Sequence, residues 1–288
     1  MRKRTLNFDS RQHMNRNTFE VFHYRDTNMQ KVALHHHLFY EVYYFIDGIA
    51  NYNIEGRIYK LNPYDILFIS PSELHHPVVD SSVPYERMVL WINKAYINSL
   101  SVPGADLTLC FDAKFTGHNN LIRPTEEQQK LISKRFKQLT GESYGRNFGN
   151  EISASAIFAQ FMVELNRMFI QADTIQLPRN TASEFIIKVL NYIDTHFADP
   201  NMTVENIAES FFVSKYYLSH QFNEMIGTSP YRYVVLKRMQ KASLMLSVGQ
   251  SPSEVYLACG YRDYSSFYRA FKAEYGLSPS EYSRQFSL

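Results

Sequence analysis

The strongest constraint on this 288-residue chain is a pattern that occurs twice near its end. Leu218, Phe222, Gly227, Ser229-Pro230 and Tyr233 are echoed 49 residues later by Phe267, Phe271, Gly276, Ser278-Pro279 and Tyr282. Several matches at a single offset mark a repeated supersecondary unit rather than a coincidence of composition. In each copy two large apolar residues four apart give a helix its buried face. A glycine suited to a left-handed cap ends that helix, and Ser-Pro opens the next.

The surrounding residues complete the unit. Thr203 caps a short helix through Ile207 and Ala208, and Ser214 starts a longer one only a few residues on. Two helices and a tight turn make a helix-turn-helix, a unit that reads DNA. Pro230 to Ser247 reads as one long helix carrying Val234, Leu236, Met239, Leu244 and Leu246. Such a rigid spacer favours reading successive major grooves roughly 34 Å apart. Upstream, Ile186, Val189, Leu190, Ile193 and Phe197 mark a bracing helix that ends before Asp199-Pro200.

The segments Asn206-Ile-Ala-Glu-Ser, Ala258-Cys-Gly-Tyr, Phe267-Tyr-Arg-Ala-Phe-Lys and Gly276-Leu-Ser-Pro-Ser-Glu-Tyr282 make the resemblance specific. Residues 183 to 288 resemble the DNA-binding domain of the AraC/XylS family of transcription regulators. The resemblance implies an all-α domain with two helix-turn-helix units, double-stranded DNA as partner, a homodimer and contact with RNA polymerase. It also implies gene activation, with a sugar or related metabolite as a frequent effector. By position in the family motif, the first recognition helix presents Tyr216, Ser219 and His220, and the second presents Ser265, Ser266 and Arg269. Arg269 is the strongest base reader, because a guanidinium can bond guanine bidentately. Lys215, Lys237 and Arg262 suit phosphates, although plain solvated charges are an equal reading. Two positions depart from the family: Phe212 stands where a first-turn glycine is common, and Tyr256 replaces a common alanine.

The first half has a different texture. From Val42 to about Asn93, short runs of Tyr, Phe, Ile and Val are punctuated at Asp47-Gly48, Glu55-Gly56, Asn62-Pro63 and Ser70-Pro71. Short strands joined by tight turns resolve as a sandwich or barrel, since closure removes exposed edges. The expectation is a small β-barrel with room for a ligand. On a strand, His35, His37 and Glu41 share one face, and Tyr43 and Phe45 continue it.

The spacing of His35, His37, Glu41 and Gly48 resembles the first motif of the cupin family, and Pro63 through His75 resembles the second. Tyr64 precedes Asp65 where that family usually carries glycine. In cupin enzymes the matching positions, here His35, His37, Glu41 and His75, hold a transition metal, a donor set that suits iron, manganese or zinc. The alternative is a polar pocket that hydrogen-bonds a small molecule, and regulators with this kind of barrel commonly keep the histidines without metal. The balance favours an effector pocket lined by His35, His37, Glu41, Tyr43 and His75, with no metal and no cofactor.

After Pro124, Thr125-Glu126-Glu127-Gln128 reads as a capped helix start, with Leu131, Ile132, Phe136 and Leu139 at helical spacing and an end near Gly141. A second helix runs from about Asn150 to Ile170, forming a hairpin. One face covers the barrel, and any apolar remainder is buried either by a second subunit or within the chain. Pro178 and small polar residues make 176–182 a linker between a sensing and dimerisation domain, 1–175, and a DNA-binding domain, 183–288. The fold expected is α+β in two domains: a cupin-like β-barrel with a helical hairpin, then an all-α double helix-turn-helix domain.

Composition bounds the function. Hydrophobic residues make up 45% and charged residues 20%, a globular balance, and the net charge of +2 leaves no basic tail. Cys110 and Cys259 belong to no metal spacing and suit a reducing cytosol. No run of 18 apolar residues occurs, and Met1 to Ser10 lacks the apolar core of a signal peptide, so a cytoplasmic location without a membrane partner is expected. No P-loop, nucleophile elbow or dinucleotide fingerprint gives an enzyme a foothold. The sequence reads as a ligand-responsive DNA-binding regulator. A metal-dependent cupin enzyme with a helical accessory is the rival, and a regulator whose barrel only dimerises under a partner protein's control is a third reading.

Overall fold

A computed structural model describes residues 12–29, 31–71, 73–113, 119–172 and 184–286. The chain divides into two compact units: residues 1–32, 37–54 and 59–178 form the first, and residues 33–36, 55–58 and 179–288 the second. The linker expected over 176–182 lies outside the described residues, as do Met1 to Ser10.

The strands are β1 (Phe19–Asp26), β2 (Tyr40–Asp47), β3 (Ala50–Ile54), β4 (Arg57–Lys60), β5 (Ile66–Ile69), β6 (His75–Val79), β7 (Tyr85–Ile92) and β8 (Leu121–Ile122); all lie in the first unit except the first two residues of β4, which are counted with the second. They form two sheets, ordered β1-β7-β2-β5-β8 and β4-β3-β6. This corrects the expected barrel, because among the described residues no ladder closes the larger sheet on itself. One of its two edges is instead the two-residue strand β8, one of the ways a sheet avoids presenting a long open edge; the other is the eight-residue β1.

Burial on both faces explains why the larger sheet needs no closure. Val42, Tyr44, Ile66, Phe68 and Leu90 pack with Ile132, Phe136, Phe158 and Phe161 in one core. Tyr43, Phe45, Leu67, Ile69 and Val89 pack with Tyr52, Ile54 and Tyr59 of the smaller sheet in another. The strand period of two thus divides β2 between a helix-covered face and an inner face. Between β3 and β4, Glu55 (φ 48°) and Gly56 (φ 78°) are both left-handed, as a two-residue type I′ hairpin turn requires.

The first core is completed by α1 (Lys94–Leu100), α2 (Glu126–Tyr144) and α3 (Asn150–Gln171). Thr125 and Gln128 make the reciprocal cap that the sequence suggests. The helix runs on through Gly141 to Tyr144, past its expected end. One interior glycine costs only about 1 kcal/mol relative to alanine, and the buried Phe136 and Leu139 hold the helix against α3. Arg135 on α2 grips Glu164 on α3 through two hydrogen bonds of 2.9 and 2.6 Å.

The second unit contains α4 (Glu184–His196), α5 (Val204–Ser210), α6 (Lys215–Ile226), α7 (Pro230–Ser247), α8 (Pro252–Ala258), α9 (Tyr264–Tyr275) and α10 (Pro279–Phe286). Starts of α6 and α7 recur 49 residues later in α9 and α10, whereas α5 recurs 48 residues later in α8. One extra residue in the second turn accounts for the difference. The burial repeats as well: Leu218, Phe222 and Tyr233, like Phe267, Phe271 and Tyr282, are in the core. Gly227 and Gly276 end α6 and α9 in the left-handed conformation. The spacer α7 packs against α6, α8, α9 and α10, which makes it the spine of the unit. Cys110 and Cys259 are both free and buried.

Candidate functional site

Helices α6 and α9 carry the residues expected to read DNA. Ser214 caps α6 by accepting from the Tyr217 N–H, and Asp263 caps α9 by accepting from the Ser266 N–H at 2.8 Å. Hydrogen bonds from Ser266 hold the Asp263 carboxyl below its ordinary range. With Leu218, Phe222 and Ile226 buried, α6 leaves Lys215, Tyr216 and His220 exposed and Ser219 half-buried. Phe267 and Phe271 play the same part in α9, leaving Ser265 and Arg269 exposed and Ser266 half-buried. Arg269 Nη2 donates to Ser266 Oγ at 3.3 Å, an exposed contact. Lys215 is held by Glu205 of α5, and His220 Nδ1 lies 3.9 Å from Glu224. Lys237, expected at a phosphate, instead places its ammonium 3.0 Å from Asp194 of α4. Arg262 donates to Asn201. Sequence reasoning passed over Tyr217 and Tyr264, which are also exposed; their positions in the first turn of each helix were the available signal.

Both departures from the family pattern have a visible cost or use. Phe212 is left-handed (φ 56°) and 97% exposed, and its counterpart in the second copy, Gly260, is left-handed too (φ 78°). Tyr256 packs its ring toward Tyr264 and Phe267, thickening the second unit's core. In the first unit Tyr64, at the other position where glycine is usual, also has a positive φ of 73°.

Inside the first unit, His37, Glu41 and His75 converge, all buried, with their donor atoms within 4.8 Å of one another. His37 Nε2 lies 3.2 Å from Glu41 Oε2. The other ring nitrogens face backbone carbonyls: His37 Nδ1 meets Phe39 O and His75 Nδ1 meets Glu73 O, each at 2.8 Å. Trp91 Nε1 donates to Glu41 Oε2 at 2.9 Å. Tyr43 shares a hydrogen bond with Tyr85. Beside it, Arg87 donates to Asp26 at 2.5 Å and lies over the rings of Tyr24 and Tyr85, 4.9 and 4.6 Å from their centroids. Burial raises the Tyr52 hydroxyl pKa far above its ordinary range, and the nearby Glu41 charge adds to the shift.

His35 does not join this group; its Nδ1 faces Ala33 O at 2.9 Å. The expectation required an unbroken strand from 35 to 41, but β2 begins at Tyr40, so alternation does not reach back to His35. Trp91, Arg87 and Asp26 were missed. Their signal was register: Glu41 pairs with Trp91 and Phe45 with Arg87 across β2 and β7, which places both opposite inward-facing positions.

A unit with a buried cluster of polar side chains and a unit that repeats one helix-turn-helix pattern fit a DNA-binding regulator with a ligand-binding domain. Family models agree: one described as AraC-like ligand binding domain matches residues 19–162, and one described as helix-turn-helix domain matches residues 207–285. The chain belongs to the AraC family of transcription regulators. The arabinose operon regulatory protein of Salmonella typhimurium is 28% identical over 239 residues, 82% of this chain and 79% of its own length. The transcriptional activator RhaS of Escherichia coli is 23% identical over 253 residues, 86% of each chain. Among solved structures, the C-terminal domain of AraT from Geobacillus stearothermophilus is 31% identical across 38% of this chain and 91% of its own, with a TM-score of 0.37. The two full-length relatives are named as an operon regulatory protein and a transcriptional activator, and the cupin-enzyme alternative is not favoured. No helix among the described residues is long and apolar enough to cross a membrane.

Proposed function

We propose that the protein is a cytoplasmic, sugar-responsive activator of metabolic genes that binds DNA as a homodimer and engages RNA polymerase. Its sensor occupies residues 1–175, a linker 176–182 and the DNA-binding domain 183–288. The observation that carries this reading is the repetition of one capped, outward-polar helix, α6 and α9, around a common spine. Tyr216, Ser219 and His220 read one major groove, and Ser265, Ser266 and Arg269 read the next, with Lys215 on a phosphate.

The name of one relative, the arabinose operon regulatory protein, supports a sugar as effector. So does the chemistry of the buried cluster, where His37, Glu41, Tyr43 and His75 carry hydrogen-bonding groups among aromatic side chains. The decisive variant is Arg269→Ala. It weakens operator binding by about 1 to 3 kcal/mol and relaxes the preference at one base position. A gel-shift competition against single-base operator variants reads both effects, and an unchanged site preference defeats the assignment.

A further inference from the structure

We propose that Arg238 and Lys241 of α7 are positioning residues that lock the two helix-turn-helix copies in one phase and so set the spacing of paired DNA patches the protein accepts, a role that rests on the reading that α6 and α9 each enter a major groove.

The spine alone does not fix that phase. Two bodies packed on one rod are held at a set separation, yet each can turn about the rod until the two also touch one another. Such a second contact lies where the first copy's entry, 197–201, meets the second copy's turn, 258–262. Gly260 comes so close that a Cβ there would stand 2.6 Å from Ala198 O and 2.7 Å from its carbonyl carbon. Beside it Arg262 donates to Asn201. At the equivalent turn of the first copy Phe212 is exposed, so the contact belongs to this junction and not to the motif.

Arg238 and Lys241, three residues apart on one face of α7, each join both sides of the junction, in opposite senses. Arg238 Nε donates to Phe197 O at 2.7 Å and its Nη2 to Asp199 O at 2.8 Å, just beyond the end of α4. Its guanidinium lies 5.3 Å from the centroid of the Tyr261 ring in the second copy's turn. Lys241 Nζ donates at 2.9 Å to the carbonyl of Ala258, the last residue of α8, and lies 5.5 Å from the centroid of the Phe197 ring. Carbonyls at a helix C-terminus lack intrahelical donors and carry partial negative charge, so cations are favoured there. Ring faces within about 6 Å attract the same cations. Arg238 is only 9% exposed, and a guanidinium that deep keeps its place only with its donors satisfied. Turning either copy about α7 breaks one cation's hydrogen bonds and the other's ring contact together. Two linked binding modules reinforce each other only when the link holds the second at its site. A stiff junction therefore confines the reinforcement to one spacing, and a loose one spreads it.

The test uses the full-length protein and three DNAs: the duplex it selects from a random-sequence pool, that duplex with two base pairs inserted between the patches contacted by one chain, and a duplex keeping one patch. Two inserted pairs turn the second patch by about 70° and carry it about 7 Å along the axis. The wild type should lose at least about ten-fold in affinity on insertion. In Arg238→Met and Lys241→Met the loss should shrink to under about three-fold with one-patch binding unchanged, while Lys241→Arg retains the full loss. A merely structural role would weaken binding to all three duplexes alike, and that result, or Met variants that keep the full loss, would overturn the proposal. Should the Met variants fail to fold by circular dichroism, spin labels at Asn223→Cys and Lys272→Cys, equivalent exposed positions on α6 and α9, decide in the otherwise wild-type protein diluted with unlabelled chains. One narrow distance in the absence of DNA supports the lock, and a broad distribution overturns it. A protein that selects no sequence would refute the DNA-reading assignment itself, whereas a wild type indifferent to the insertion would refute only the fixed phase.

Discussion

Phe212 and Gly260 occupy the same turn in the two copies, and the chain pays a different cost at each. Both are left-handed, a conformation that strains any residue with a Cβ. A Cβ at Gly260 would also meet Ala198 O at 2.6 Å, whereas Phe212 projects into solvent. Phe212→Gly is therefore expected to stabilise the protein by about 1 kcal/mol, and the β-branched Phe212→Val to destabilise it. Urea denaturation of the three proteins checks this, and a less stable glycine variant would show the turn to be unstrained. Asp65 offers a second residue-scale prediction. Burial pushes its carboxyl up to about 6 from 3.8, against the smaller opposing effects of the Asn62 N–H and Arg123. Because the folded value is the higher, its contribution is full below about pH 4 and is lost as pH rises through about 6. Stability measured by denaturation should fall between about pH 4 and pH 6 in the wild type more than in Asp65→Asn; parallel profiles would contradict this.

The helices of the second unit were legible because their information is local. Thr203, Ser214 and Ser229 start α5, α6 and α7, and glycines end α6 and α9, all by short-range hydrogen bonding that neighbouring residues specify. Ser214→Ala and Asp263→Ala should each cost about 1 kcal/mol in stability, read by thermal unfolding, and unchanged unfolding would mean the caps are replaced by water. Strand parity was legible along β2, where Glu41, Tyr43 and Phe45 do share the inner side. It failed for His35 because nothing in the local sequence announces that the strand starts only at Tyr40. The end of α2 was misplaced for a related reason: Gly141 is a local signal, and the packing that overrides it comes from α3.

At the scale of the whole molecule, the sequence announced short strands and then helices, but not how the strands pair. Placing β3, β4 and β6 in a sheet of their own depends on ladders between distant residues, such as Asn53 with His76, that periodicity does not encode. For the same reason the places of Arg87 and Trp91 beside Phe45 and Glu41 follow only from β7 lying next to β2. The repeat, in contrast, carried the function directly. Two copies of one DNA-reading unit on a shared spine predict paired contacts on one face of the duplex, and this is the central claim. Genomic footprinting of the tagged protein tests it most directly. The account predicts discrete sites with two protected patches for each bound chain, about one helical turn, roughly 10 base pairs, apart, whereas an absence of enriched sites, or sites with a single patch per protein chain, would contradict it.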